Sequence, residues 1–295
     1  MTTSRYHLDE RPTDPNNPDA IMLELVGSGR SVLHLGCADE HMTRWLAAAG
    51  CEVTEAELDS EGAGADLDHL DLGELFEGRT FEVVLCGDVA AQLRDPTRML
   101  VAARRLLAPG GVVVVSVPNV AHGDVRLELL AGRFDYRRDG LLDAANLRMF
   151  TRRSLESMLE DAGLVGVDWR RTHCPLGSSE LAPPLEAAPP GVRELLEADP
   201  DALTYRFIVK AVPGDGSREL GELSNKLAGE QLRADRAELE NDALRARSDT
   251  VTREAEAIRT QLVEVGSGLS LGQAIKAWRG LGPVKRWVQG RRGTP

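Results

Sequence analysis

Residues 31–40 read SVLHLGCADE, and this stretch decides the fold. Residues 32–35 form a short, mostly apolar run that ends at Gly36, which predicts a buried strand followed by a tight turn. From Asp39 the apolar residues recur every three or four positions, which predicts a helix. A strand, a glycine turn and a helix N-terminus make a ligand-binding corner of a doubly wound sheet, because the helix start presents free N–H groups. Glu40 is a bulky anion in a loop where such corners usually carry a small residue.

Composition and charge narrow the functional classes. The net charge of −12 argues against a nucleic-acid-binding surface, and an aromatic content of 4% argues against a base-stacking platform. The cysteines are scattered without metal-ligand spacing, so free thiols in a reducing cytoplasm and no metal site are expected. We find no signal peptide and no run of 18 apolar residues, so the predicted location is cytoplasmic.

The order of strand and helix patterns predicts the architecture of the first two thirds of the chain. A polar lead-in and a helix fill residues 1–30, and strands and helices alternate through residues 31–212. Alternation of this kind predicts an α/β three-layer sandwich. Residues 58–65 are too few for a crossover with its own helix, so the helix after the second strand is expected to be missing. Residues 120–150 mix charge, glycine and aromatics and are interpreted as a substrate-side insertion.

The remaining third has a different character. After a hinge at 213–217, residues 218–265 carry a heptad repeat in which eleven of fourteen a and d positions are apolar, which predicts a coiled coil. The alternative is a single solvated helix, because several of these positions are alanine. Residues 266–295 contain no acid and several basic residues around two tryptophans. This basic amphipathic tail suits a peripheral membrane contact at the inner face of the membrane, or packing on protein.

A longer set of motifs resembles class I S-adenosylmethionine-dependent methyltransferases, in particular a bacterial subgroup often encoded with glycosyltransferases in surface-polysaccharide clusters. The most specific stretches are LAPGG at 107–111 and VPNVAH at 117–122. The other matching segments are 14–18, 32–38, 57–59, 87–89, 93–96 and 125–151. The resemblance implies a Rossmann-like fold for roughly residues 10–212 and S-adenosylmethionine as cofactor.

The resemblance also implies site residues. Those implied for the cofactor are Gly36, Cys37 and Ala38 at the amino-acid moiety, Glu57 at the ribose, Asp66 and Leu67 at the adenine, and Asp88 near the methionine part. His122 is the candidate base. The substrate-side candidates are Asn119, Arg126, Arg133, Tyr136 and Arg148. The arginines among them suit an anionic or phosphorylated sugar.

Two functions follow from these patterns. The first is O-methylation of a sugar or glycan-related acceptor. The second is a catalytically degenerate scaffold that dimerises through the coiled coil, or binds a coiled-coil partner, and docks to a membrane-associated glycan-synthesis complex. The second rests on departures from the family pattern, namely His34, Glu40, Gln92, Asn146 and the shortened segment after the second strand.

Overall fold

The structure is a computed structural model that describes residues 11–36, 40–56, 71–185, 191–199 and 201–214. In the C-terminal third it describes residues 230, 237, 244–245 and 248–257. The chain divides into two compact units, residues 1–233 and 234–295.

A six-stranded mixed sheet forms the centre of the first unit. Its strands are β1 (Ser31–Leu35), β2 (Glu52–Ala56), β3 (Phe81–Gly87), β4 (Leu107–Pro118), β5 (Leu164–His173) and β6 (Thr204–Pro213). The strand order is β2-β1-β3-β4-β6-β5. Strands β1 to β4 are parallel, and β6 runs antiparallel to both β4 and β5.

Helices cover both faces of the sheet and complete the predicted three-layer sandwich. They are α1 (Pro18–Val26), α2 (Glu40–Ala48), α3 (Leu72–Leu75), α4 (Val89–Gln92), α5 (Pro96–Arg105), α6 (Gly123–Leu130), α7 (Arg152–Asp161) and α8 (Val192–Ala198). One face packs against α1 and α2, where Leu23 and Leu46 are buried. The other face packs against α3, α4, α5 and α7, where Leu100 and Leu155 are buried. The α/β sandwich is therefore confirmed.

Two elements differ from the sequence-based expectation. The apolar run 112–117 predicts a strand of those residues, but β4 begins earlier, at Leu107, because Leu107 pairs with Phe81 before a shift in register. Residues 120–150, interpreted as an insertion, contain the helix α6. Two small apolar clusters, around Val125 and around Leu127, connect this region to residues 176–202.

Several predicted segments lie wholly or partly outside the described residues. These are the region after the second strand (57–70), most of the hinge (215–217) and the basic tail (266–295). Within the predicted coiled coil, residues 248–257 are helical. Leu244 and Val251, at d positions of the heptad, are 64% and 53% exposed in the single chain. In the part of the chain that the structure describes, no helix has both the length and the apolar character needed to cross a membrane.

Candidate functional site

The strand order predicts a ligand-binding crevice at the carboxyl ends of the parallel strands. From β1 the chain moves outward to β2, and it then returns to the other side of β1 to form β3 and β4. In a doubly wound sheet, ligands bind outside the carboxyl ends of the strands at the point where the order reverses. That point lies between β1 and β3, which end at Leu35 and Gly87. The first residues beyond them, Gly36 and Asp88, therefore mark the candidate site.

Both of these residues have a left-handed backbone. Gly36 has φ of 72° and Asp88 has φ of 56°. Glycine adopts this conformation freely, whereas a residue with a Cβ atom does so at a cost of about 1–2 kcal/mol. The N–H of Asp88 donates to the Ser116 carbonyl at 3.2 Å, and the next residue begins α4. A strained non-glycine residue at the reversal point is typical of a functional site.

The Asp88 carboxylate belongs to a three-residue polar cluster. Its Oδ1 atom accepts from the Ser116 hydroxyl at 3.1 Å and forms an ion pair with Nη1 of Arg206. The same Nη1 atom lies 3.4 Å from the Ser116 hydroxyl oxygen. Burial, the largest single effect, lowers the pKa of the Arg206 guanidinium, but the charge and hydrogen bond of Asp88, together with smaller effects of Tyr205 and Asp19, leave the pKa raised. Arg206 therefore remains a cation beside the crevice.

Sequence reasoning missed Arg206. It is separated from Asp88 by more than a hundred residues and lies at the start of the last strand of the sheet, opposite Pro118. The available signal is the period of two in a strand, which puts Arg206 on the opposite face from Tyr205 and Phe207. No local motif connects that face with Asp88.

A second set of polar contacts joins β1, α2 and β2, on the β1 side of the strand-order reversal. His34, on β1, is 5% exposed, and its Nδ1 atom lies 3.1 Å from the Thr43 hydroxyl of α2. The Thr43 hydroxyl donates to the Glu55 carboxylate of β2. His34 stands where the resembling family carries an acid, and here it links β1, α2 and β2.

His122, the predicted base, contacts protein groups through both ring nitrogens. The side chain is fully buried. Its Nδ1 atom accepts the Asp124 N–H at 3.1 Å, so the proton is assigned to Nε2, which donates to the Cys174 carbonyl at 2.9 Å. Burial lowers the pKa of His122, although the Cys174 carbonyl and nearby carboxylates oppose the shift. Both ring nitrogens are occupied, so no lone pair is left for an acceptor.

Four of the five substrate-side candidates bind protein groups instead. Asn119 is fully buried and donates to the carbonyls of Asp201 and Thr204 at 2.9 and 2.8 Å. Arg126 pairs with Asp199, Arg133 pairs with Glu128, and Arg148 donates to the Arg94 carbonyl.

Tyr136 is the remaining substrate-side candidate. It is 59% exposed and stacks edge-to-face on Phe134, with ring centroids 5.5 Å apart. The exposed part of the insertion therefore presents aromatic surface, while the predicted arginines have protein partners.

The buried side chain of Asp124, on α6, binds the backbone of residues 177–179. The fully buried carboxylate of Asp124 accepts from the N–H of Gly177 at 2.7 Å and from the N–H and hydroxyl of Ser179 at 3.1 and 2.6 Å. Close by, Glu180 accepts from the Tyr205 hydroxyl at 2.8 Å and from the Leu141 N–H at 2.6 Å. These contacts fix residues 177–180 on the insertion, and no local sequence pattern predicts them.

The other predicted cofactor residues lie outside the described part of the chain. They are Cys37, Ala38, Glu57, Asp66 and Leu67, together with the side chain of Glu40. Among the described residues, no group of three histidine, cysteine or acidic side chains could hold a metal ion. Burial raises the pKa of the Cys86 and Cys174 thiols to about 12 and about 11, so both are thiols rather than reactive thiolates at neutral pH.

Comparison with known families identifies the domain. A family described as "Methyltransferase domain" matches residues 14–168, just over half of the chain. The chain belongs to this methyltransferase domain family. The match contains the crevice residues Gly36 and Asp88, and Arg206 lies beyond it.

Curated relatives of this methyltransferase domain are distant. The chain is 26% identical over 164 residues to a ubiquinone biosynthesis O-methyltransferase of Psychrobacter arcticus, covering 49% of this chain and 63% of the relative. It is 29% identical over 112 residues to the protein of the same name from Psychrobacter cryohalolentis, covering 32% and 44%. The chain thus spans less than two thirds of the length of these relatives.

Solved structures with a similar arrangement include a S-adenosylmethionine-dependent methyltransferase from Archaeoglobus fulgidus, with a TM-score of 0.46, 14% identity and coverage of 65% of this chain and 91% of that one. A second is the 1,6-didemethyltoxoflavin-N1-methyltransferase of Burkholderia thailandensis, with a TM-score of 0.42, 19% identity and coverage of 68% and 79%.

Proposed function

We propose that this protein is a S-adenosylmethionine-dependent methyltransferase that acts on an oxygen of a small-molecule acceptor. The observation that carries the proposal is the crevice between β1 and β3, where Gly36 and the strained Asp88 lie inside the region that matches the methyltransferase domain family. A glycine at the turn lets a ligand approach the backbone closely. The carboxylate of Asp88, whose backbone is strained, offers that ligand a polar contact.

The described side of the crevice fits the cofactor chemically. The cofactor carries charged groups at one end, and the crevice offers the carboxylate of Asp88 and the guanidinium of Arg206. On the sequence resemblance, Gly36, Cys37 and Ala38 lie against its amino-acid moiety, Glu57 binds the ribose, and Asp66 and Leu67 lie at the adenine. When bound, the cofactor supplies a methyl group activated by a sulfonium. The task of the protein is then to position an acceptor oxygen in line with that methyl group.

For the acceptor, we propose a sugar or glycan-related hydroxyl, in line with the resemblance to the surface-polysaccharide subgroup. The three arginines expected to bind an anionic sugar have protein partners, so this acceptor proposal rests on the sequence motifs alone.

A phenolic acceptor is the second candidate. It is favoured by the exposed Phe134 and Tyr136 pair on the insertion and by curated relatives named ubiquinone biosynthesis O-methyltransferases. An aromatic surface of this kind suits a flat apolar ring better than a sugar.

A calorimetric titration with S-adenosylmethionine tests the cofactor, and release of S-adenosylhomocysteine tests the reaction. We expect binding that Glu57→Ala abolishes. We also expect turnover with either a sugar phosphate or a catechol but not with both. If the chain binds no cofactor at millimolar concentration and Glu40→Gly restores binding, the degenerate scaffold is the correct function.

We further propose that residues 218–265 pair as a two-stranded coiled coil, with the tail at 266–295 contacting an anionic membrane. The exposure of Leu244 and Val251 in the single chain supports the first part, because apolar d positions are covered in a coiled coil only by a partner helix. Co-sedimentation with phosphatidylglycerol vesicles, lost on deletion of 266–295, tests the second part. Equal sedimentation of both forms would exclude the tail as the contact.

A further inference from the structure

The ion pair between Asp88 and Arg206 makes contact through one atom on each side. Asp88 uses Oδ1 for both Ser116 and Arg206, and Arg206 uses Nη1 for both Asp88 and Ser116. A guanidinium carries five N–H donors, and a carboxylate offers about four lone-pair positions. The preferred arginine–carboxylate geometry is a fork with two parallel bonds. The carboxylate and the guanidinium therefore each have hydrogen-bonding positions that this ion pair does not use and that a further ligand can occupy.

The exposure of the two side chains shows whether a ligand can reach these hydrogen-bonding positions. The Asp88 side chain is 39% exposed, and the Arg206 side chain is 14% exposed. The pair stands at the strand-order reversal, beside Gly36, because Leu35 pairs with Cys86 in the sheet. A ligand in the crevice can therefore reach both charges without opening the core.

The local charge selects the kind of ligand. Burial, the largest effect, lowers the pKa of Arg206, whereas Asp88 and, to the smallest extent, Asp19 in the first turn of α1 raise it, so two carboxylates act on the guanidinium. An anion alone would be repelled by these carboxylates, and a cation alone would be repelled by the guanidinium. A zwitterion with an ammonium and a carboxylate on the same carbon atom matches both charges of the pair.

We propose that Asp88 and Arg206 together bind the amino-acid end of the cofactor, with Asp88 pairing with its ammonium and Arg206 with its carboxylate. This inference rests on the proposed function. It assigns a cofactor-binding role to a residue of the last strand of the sheet, outside the region that matches the family.

Two ligands that differ only at the amino-acid end test the proposal. S-adenosylhomocysteine carries this end, whereas 5′-methylthioadenosine keeps the nucleoside and lacks it. Titration calorimetry on the full chain is expected to show tighter binding of S-adenosylhomocysteine. Arg206→Gln is expected to weaken that binding about 10- to 100-fold, the usual effect of losing a charged hydrogen bond, and to change 5′-methylthioadenosine binding by less than about 3-fold.

Arg170 supplies the matched control. It is an ion-paired arginine of the neighbouring strand β5, bound to Asp168 and Glu24 away from the crevice. Arg170→Gln is expected to leave the affinities for both ligands unchanged. Asp88→Asn is expected to reduce the preference for S-adenosylhomocysteine in the same direction as Arg206→Gln.

The outcomes separate this inference from the proposed function. If the native chain binds both ligands and Arg206→Gln weakens both equally or neither, the inference is wrong and the methyltransferase proposal stands. If the native chain binds neither ligand, both proposals fail. Should Arg206→Gln fail to fold, Arg206→Lys keeps the charge and removes the planar fork. Arg206→Lys must then lower the affinity for S-adenosylhomocysteine relative to that for 5′-methylthioadenosine. An unchanged ratio of these two affinities overturns the inference.

Discussion

At the scale of single residues, His122 shows how a conspicuous histidine can serve the fold. Its imidazole caps α6 through Nδ1 and binds the Cys174 carbonyl through Nε2, so it joins the helix to the end of β5. A buried histidine of this kind must stay neutral for the contacts to persist. Its pKa, lowered mainly by burial, is consistent with that requirement.

We predict that His122 makes the protein sensitive to acid. The unfolded chain binds a proton at this residue near pH 6.5 and the folded chain does so only at lower pH, so stability is full above pH 6.5 and falls below it. Between pH 7.5 and 5.5, this residue should contribute a loss of at most about 1.4 kcal/mol in the free energy of unfolding, the limit for a folded imidazole that stays neutral throughout. Urea unfolding at the two pH values measures the loss.

The variant for this prediction replaces the titrating group itself. His122→Asn retains a side chain that can cap α6, so the variant should fold but lose less stability on acidification than the native chain. Thr151→Ala removes the cap of α7 and no titrating group, so it should keep the native pH dependence. Equal pH dependence in the native chain and His122→Asn would contradict the prediction.

Asp124 provides a second prediction at this scale. Its carboxylate accepts three hydrogen bonds from Gly177 and Ser179. In Asp124→Asn an amide NH2 group replaces one carboxylate oxygen, so a donor faces a donor of Gly177 or Ser179. The free energy of unfolding at pH 7 should therefore fall by about 2–3 kcal/mol. Asp143→Asn is the control, since Asp143 accepts only from the Ala145 N–H at an exposed turn. A loss below about 0.5 kcal/mol for Asp124→Asn would show that other contacts hold residues 177–180.

At the scale of helices and strands, the sequence predicted best where the signal is local. The predicted apolar run 32–35 lies within β1, and α1, α5 and α7 begin after Asn17, Asp95 and Thr151, which are typical capping residues. Helix α6 escaped prediction because its cap is a histidine and its first residue is a glycine, neither of which is a usual start signal. The early start of β4 depends on pairing with Phe81, which no local pattern encodes.

Helix α7 gives a prediction about one of these local signals. Thr151 and Ser154 form a reciprocal capping box, with the Ser154 N–H donating to Thr151 at 3.2 Å and the Thr151 N–H donating to Ser154 at 2.9 Å. Thr151→Ala should lower the free energy of unfolding by about 1 kcal/mol. Because the two side chains act together, the double variant with Ser154→Ala should lose less than the sum of the single losses.

Thermal unfolding of the single and double variants measures this coupling. Glu160→Ala, near the end of the same helix, is the control and should change stability by less than about 0.5 kcal/mol. Strictly additive losses would mean that the two side chains stabilise α7 independently.

At the scale of the whole molecule, the candidate site depends on topology. Gly36 and Asp88 could be predicted from the sequence because each directly follows a strand whose apolar run is visible. Arg206 could not be predicted, since its place beside Asp88 arises from an antiparallel strand inserted next to β4. The same limit applies to the substrate-side arginines, whose side chains suggested an anion site until their partners Asp199 and Glu128 were known.

The C-terminal third gives the last prediction, which concerns assembly. If residues 218–265 pair, the full chain of 32.0 kDa should have about twice that mass in light scattering after gel filtration. Replacing both Leu244 and Val251 by lysine puts like charges at two neighbouring d positions and should return the mass to that of one chain. Leu195→Lys makes the same kind of change at a 70% exposed leucine of α8 and should leave the mass unchanged. All forms should bind S-adenosylhomocysteine equally, because the crevice lies within the first unit. A native mass of one chain would instead identify the segment as a single solvated helix.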